Sequence, residues 1–212
     1  MFALRTASLV AATLSTGLIA GVFFAYATSV MGALGQSDDR TFVDVMQKIN
    51  VVIINPWFMI TFMGTVGFTV LAAALHLGKE QRTTLIWIGV ALLLNIIAFA
   101  VTSGMNVPLN NQLANAGDVG QIPDLAAVRS QFESSWVAWN AVRAVLHTLA
   151  FLVLTGALFV AGMAHARAGA VAQAAPAASA WPFPVQAGFP QAQSFAPAQQ
   201  FAPQPGFGSG QQ

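Results

Sequence analysis

Four runs without a charged side chain, residues 6–37, 49–78, 83–117 and 144–166, each reach the length a polypeptide needs to cross a bilayer. About 20 mostly apolar residues suffice at ~1.5 Å rise per residue. In hydrocarbon the backbone has no water to bond, so such a run satisfies its own N–H and C=O groups as an α-helix. The most apolar windows are residues 6–34, 51–77, 84–105 and 144–164. The expected fold class is all-α: a four-helix transmembrane bundle over residues 1–167 with a short interfacial helix, then a disordered C-terminal tail over 168–212. Composition excludes the usual water-soluble enzyme. Hydrophobic types make up 56% of the chain and charged types 7%, against roughly 25% charged in an ordinary soluble domain.

The same sparseness removes other classes. Eight Lys and Arg without a cluster give no electrostatic footprint for nucleic acid. With no cysteine there is no disulfide framework and no thiolate ligand. His76, His147 and His165 are dispersed and lack a matching carboxylate set, so no metal site is expected. Glycine-rich phosphate loops, dinucleotide fingerprints and Ser/His/Asp arrangements are absent, and no cofactor is expected.

Arg5 followed by an apolar run, with Ala25-Tyr26-Ala27 behind it, has the outline of a signal peptide. Its apolar stretch far exceeds the ~7–15 residues of a signal core, so the first span is expected to stay in the protein. Arg5, Lys79, Arg82 and Arg167 fall on one side of a four-span chain and Arg40, Lys48, Arg129 and Arg143 on the other, a tie under the positive-inside rule. The working topology is a multi-pass protein of the cell membrane with both termini cytoplasmic.

Residues 78–82 form a tight turn, which makes spans two and three antiparallel neighbours. Between spans one and two, Phe42, Val45, Met46 and Ile49 recur at helical spacing with Asp38 and Asp39 ahead of them and Lys48 behind, the pattern of a short interfacial helix. After span three, residues 108–123 are rich in Asn, Gly and Pro and read as a polar loop; Asp124 then caps a helix that runs into span four. The tail has no charge, seven of the ten prolines and nine glutamines, a composition that cannot bury a core. Its Phe183, Phe189, Phe195, Phe201 and Phe207 recur every six residues, either as drift in a low-complexity segment or as weak stickers for a protein partner.

Polar side chains in hydrocarbon are costly unless paired or facing a cavity, so they mark candidate sites. Glu133, Trp136, Asn140, Arg143 and His147 are spaced 3, 4, 3 and 4, one face of a helix. Asn95, Phe99, Thr102 and Asn106 form a second such face. Tyr26, Thr28 and Ser29 near the end of span one, and Asn50 and Asn55 at the start of span two, thread to the same end of the bundle. The convergence suggests a polar-rimmed pocket open at one membrane face. Its bland counterpart is interhelical hydrogen bonding, with Trp136 and Trp139 as interfacial belt residues and Arg143 as a snorkelling anchor. Gly17 and Gly21 form a GxxxG spacing that permits close helix approach.

The layout resembles the anthrone oxygenase-like integral membrane proteins. The resemblance is carried by residues 21–26 (GVFFAY), 46–50 (MQKIN) with Asn55-Pro56, 106–113 (NVPLNNQL), and Trp136 with 139–143 (WNAVR), and it spans about residues 6–165. In members that oxidise anthrones, the loop after span three looks like Met-x-Pro-Thr-Asn-x-x-Leu; this chain keeps Pro108, Asn110 and Leu113 but has Asn106 and Leu109 at the Met and Thr positions. The resemblance implies oxidation without bound metal or flavin.

Two readings follow. In one, the protein is a non-catalytic member whose pocket binds a small hydrophobic molecule and whose tail recruits a partner, with the bilayer as its constant environment. In the other it is a cofactor-independent oxygenase of an electron-rich aromatic. There His147 is the candidate base, Arg143 and Asn140 stabilise the anion, Asn106 and Asn110 position it, and Trp136 and Trp139 stack on it. Asn50, Asn55 and Tyr26 complete the candidate binding set.

Overall fold

The computed structural model describes residues 2–174, and among them every regular element is helical. Four rods have the length and hydropathy of membrane spans: Phe2–Leu34, Pro56–Leu75, Lys79–Asn115 and Leu125–Gln173. The expected four-helix bundle is present. The expected tail, with its six-residue Phe spacing, lies outside the described residues beyond Ala174. The last helix continues through Ala168 to Ala174, past the boundary that charge alone suggested.

The first rod is not uniform. Helix α1 (Phe2–Ala25) opens into a π-helical turn at Tyr26–Val30 and closes as α2 (Met31–Leu34). Helix α3 (Asp39–Val52) is the expected interfacial helix. Asp38 caps it, accepting from the Thr41 backbone N–H at 3.0 Å and the Thr41 hydroxyl at 2.7 Å, bonds that hold the Asp38 carboxyl below its ordinary pKa. Phe42, Val43 and Met46 turn inward, and Lys48 meets Asp44 one turn back.

The second rod, α4 (Pro56–Leu75), starts later than the apolar window at residue 51. Proline excludes its predecessor from the helical region. Asn55 accordingly sits at φ −118°, ψ 160° and accepts from Phe58 N–H at 3.1 Å. Asn50 therefore belongs to α3 and not to span two, whereas Asn55 caps α4 at the start of span two. A 3-10 turn at Lys79–Gln81 leads into α5 (Arg82–Val101). That rod does not end at residue 105. A second π-helical turn, Thr102–Asn106, passes directly into α6 (Val107–Asn115), so much of the expected loop is helix. Pro108 lacks an N–H and its ring crowds the carbonyl four residues back; the wider π turn just before it accommodates both. Gly117, at φ 90°, turns the chain toward α7 (Leu125–Ala174). Asp124 caps α7 through Ala127 N–H at 2.9 Å.

Away from the polar end, the core is Leu9 and Ala12 of α1, Ala72 of α4, Ile88 and Ala91 of α5, and Leu154 and Ala157 of α7. Small residues let membrane helices approach closely, where dispersion and not water exclusion holds them. Gly17 receives the Phe151 ring: a Cβ there would stand 2.8 Å from it. Gly21 faces open space, so the GxxxG pair is not a continuous seam. At the other end Arg129 ties three segments together. It bonds Glu133 at 2.6 Å and Asp39 at 3.1 Å, and reaches the carbonyls of Ser37 at 2.8 Å and Gly35 at 2.9 Å. Gln47 bonds the carbonyls of Leu113 and Gly117, fastening α3 to the end of α6.

Candidate functional site

The 3-4-3-4 stripe on α7 faces inward, and its members meet different partners. Trp136, Asn140, Arg143 and His147 are buried. Glu133 belongs to the Arg129 cluster instead. Asn140 donates to the Phe23 carbonyl at 3.1 Å, stitching α7 to α1. Its Oδ1 accepts from Arg143 Nη2 at 3.1 Å.

Arg143 is only 5% exposed, and among the described residues its guanidinium pairs with no carboxylate. Its cation lies 4.2 Å from the Phe23 ring centre and 5.5 Å from that of Trp136. Nε has no partner. Cation–π contacts offset part of the desolvation of a buried guanidinium, and an acceptor is still wanted.

One turn further along α7, His147 is fully buried against Phe23, ring centres 5.5 Å apart. Its tautomer follows from its neighbours. The Thr65 carbonyl can only accept, so the Asn95 amide nitrogen faces it at 3.1 Å and also reaches the Thr16 hydroxyl at 3.2 Å. Asn95 Oδ1 is thereby turned to His147 Nδ1 at 3.1 Å, and an amide oxygen accepts only, so Nδ1 carries the hydrogen. Nε2 is left with its lone pair, buried and without a partner among the described residues.

A cavity of about 250 Å³ opens beside Arg143. Phe23, Phe58, Phe62 and Trp136 are its aromatic walls, and Ile49 of α3 and Ile53 just after it close it from the loop side. Tyr26, Asn50, Thr102, Asn110, Asn140 and Arg143 supply the polar points. Asn50 Nδ2 is a second buried donor without an acceptor among the described residues. Asn110 is already engaged, accepting from Trp136 Nε1 at 2.8 Å, which fixes the indole as a wall. Both π-helical turns stand at this level, and each contributes a lining residue, Tyr26 and Thr102. A π turn reorients side chains relative to the rest of its helix, and such turns are frequent at functional sites.

Six of the ten candidate residues thus line one cavity: Arg143, Asn140, Trp136, Asn110, Asn50 and Tyr26. The remaining four lie elsewhere. His147 sits behind Phe23 and Arg143. Asn106 is buried and donates to the Trp136 carbonyl at 3.3 Å. Asn55 caps α4 and contributes to a shallow groove on the outer side of α3. Trp139 is half-buried and lines none of the cavities described. The apolar walls carry no signal in the sequence, since Phe23, Phe58 and Phe62 are indistinguishable there from lipid-facing residues in a span. Arg129 likewise shows only its charge in the sequence.

Among the described residues no three His, Asp or Glu side chains gather as a metal-ligand group. Residues 57–153 match the family model for anthrone oxygenase. That stretch runs from the start of α4 into α7 and contains Asn106, Asn110, Trp136, Trp139, Asn140, Arg143 and His147; Tyr26, Asn50 and Asn55 precede it. No curated protein and no solved structure matches the chain.

Proposed function

The chain carries an anthrone oxygenase-like domain over residues 57–153, and from that premise we propose that the cavity beside Arg143 binds a small, flat, largely apolar molecule bearing an ionisable oxygen. The observation that carries this reading is a buried guanidinium with a free Nε and no carboxylate, set in aromatic walls. Such a pocket suits a phenolate or enolate: the rings take its apolar body by stacking, and Arg143 receives the oxygen. Asn50 offers a second donor to another oxygen on the same ligand.

The family match favours a second, catalytic reading in which the bound molecule is oxidised. An anthrone-type carbon, a CH2 between two aryl rings and opposite a ketone, loses a proton to give an anion delocalised onto the ketone oxygen. The anion forms a C–O bond to O2, and the peroxide is protonated to a hydroperoxide. Loss of water then leaves a C=O, so R2CH2 and O2 become R2CO and H2O. Arg143 stabilises the anion, and holding that charge is the main contribution asked of the protein. In this reading His147 Nε2, with its lone pair free, takes the proton once the Phe23 ring swings aside.

Purified protein titrated with anthrone-type phenols, followed by tryptophan quenching and by O2 uptake, tests both. Saturable binding that Arg143→Gln weakens supports the ligand reading, and turnover that Arg143→Gln lowers supports the oxygenase. Absence of binding by any phenol sinks both; binding without O2 uptake sinks only the second.

A further inference from the structure

A second cavity, of about 410 Å³, lies at the opposite end of the bundle, where α1 begins and α4 turns into α5. Its size is within the ~300–1,000 Å³ range of small-molecule sites. Arg5, His76, Glu80, Gln81 and His165 line it, above an apolar floor that includes Leu9 and Leu158. Arg5 is anchored by one atom only: Nε donates to the Leu75 carbonyl at 2.7 Å at the end of α4. Both terminal amino groups of its guanidinium have no acceptor among the described residues. Glu80 lines the same cavity, yet no ion pair joins it to Arg5 or to any described residue. His76 is buried, and its Nδ1 donates to the Ala72 carbonyl at 2.7 Å, so its Nε2 presents a lone pair. His165 stacks on Phe2 with ring centres 3.7 Å apart and forms a flat wall. Phe2, which also lines the cavity, is an exposed apolar side chain, and Leu4 and Leu77, neighbours in the chain of Arg5 and His76, are exposed as well.

One cavity therefore holds cationic donors and separate anionic and neutral acceptors that do not satisfy each other. Two complementary charges kept apart fit a ligand that carries both. A phosphate monoanion answers the Arg5 amino groups, and an ammonium with N–H bonds answers the Glu80 carboxylate and His76 Nε2. The exposed apolar side chains then suit acyl chains. We propose that this cavity seats a phosphoethanolamine group, the headgroup of a zwitterionic lipid, with Arg5 on the phosphate and Glu80 and His76 on the ammonium.

The chemistry separates this headgroup from its neighbours. A choline headgroup has no N–H to donate and is bulkier, while a glycerol headgroup leaves Glu80 beside a phosphate with no cation between them. Native mass spectrometry of the full chain in detergent, titrated with phosphatidylethanolamine, phosphatidylcholine and phosphatidylglycerol of matched acyl chains, reads the preference. Phosphatidylethanolamine is expected to bind about tenfold more tightly than either, the effect of one charge-assisted contact at a partly exposed site. Arg5→Gln should lower that affinity about tenfold. Glu80→Gln should abolish the preference over phosphatidylglycerol while leaving phosphatidylglycerol binding intact. Equal affinities for the three lipids in the unaltered protein, or a preference that survives both substitutions, would overturn the proposal. Soluble glycerophosphoethanolamine distinguishes the source: competition at millimolar concentration assigns the site to the free ester, and failure to displace bound lipid assigns it to the membrane.

Discussion

Replacing Arg143 by methionine asks whether the guanidinium holds the bundle together or serves a ligand. Methionine keeps an unbranched stem of similar reach and adapts to irregular gaps. The substitution removes one hydrogen bond to Asn140, worth about 1.5–3 kcal/mol for a charged donor. It also removes the cation from the faces of Phe23 and Trp136, worth about 2 kcal/mol where desolvated. Against this stands the desolvation of a cation that is 5% exposed and has no counter-ion among the described residues, a penalty of several kcal/mol. The terms are of similar size and opposite sign, so Arg143→Met should change stability by no more than about 2 kcal/mol, or a Tm shift within about 8 °C for a domain of this length. Binding should respond differently. Loss of a charge-assisted contact to a phenolate in a cavity with aromatic walls costs about 2.7 kcal/mol, near a hundredfold in Kd. Thermal unfolding in detergent and tryptophan quenching by a phenol titration give the two numbers. A large loss of stability with Kd unchanged would refute the reasoning and make Arg143 a structural strut.

Selective 15N labelling of histidine should find His147 neutral with its hydrogen on Nδ1, because the Thr65 carbonyl fixes the Asn95 amide that receives it; a hydrogen on Nε2 would refute that chain, and Asn95→Leu should release the preference. Arg129→Ala removes four partners from three segments and should cost about 3 kcal/mol, with amide hydrogen exchange rising first at the start of α3. Asn55→Ala deletes the cap of α4 and should cost about 1 kcal/mol in the unfolding free energy. Asp38 has a lowered folded pKa, so its contribution to α3 is present above its unfolded pKa and fades as pH falls through the folded one; Asp38→Asn, which keeps an acceptor, should flatten that acid dependence in the helical circular dichroism signal.

The charge-free runs determined that four helices are long and apolar enough to cross a membrane, because hydrocarbon leaves a backbone no other way to satisfy itself over such lengths. Local chemistry was equally legible: Asp38, Asp124 and Asn55-Pro56 act where short-range rules place caps and starts. The inward face of α7 could be read from its spacing, since a helix brings residues three and four apart onto one side. What sequence could not weigh is which polar groups answer each other. Asn55 and Asn50 look alike in the chain; tertiary packing makes one a cap and gives the other an unmatched donor beside the cavity. Arg129 and Arg143 both lie on α7, yet only the first meets carboxylates, because α3 brings Asp39 within reach of it. The two π-helical turns, at Tyr26–Val30 and Thr102–Asn106, also escaped the sequence. The second eases the crowding of the Pro108 ring just after it, while the first has no such local marker and sets Tyr26 at the cavity.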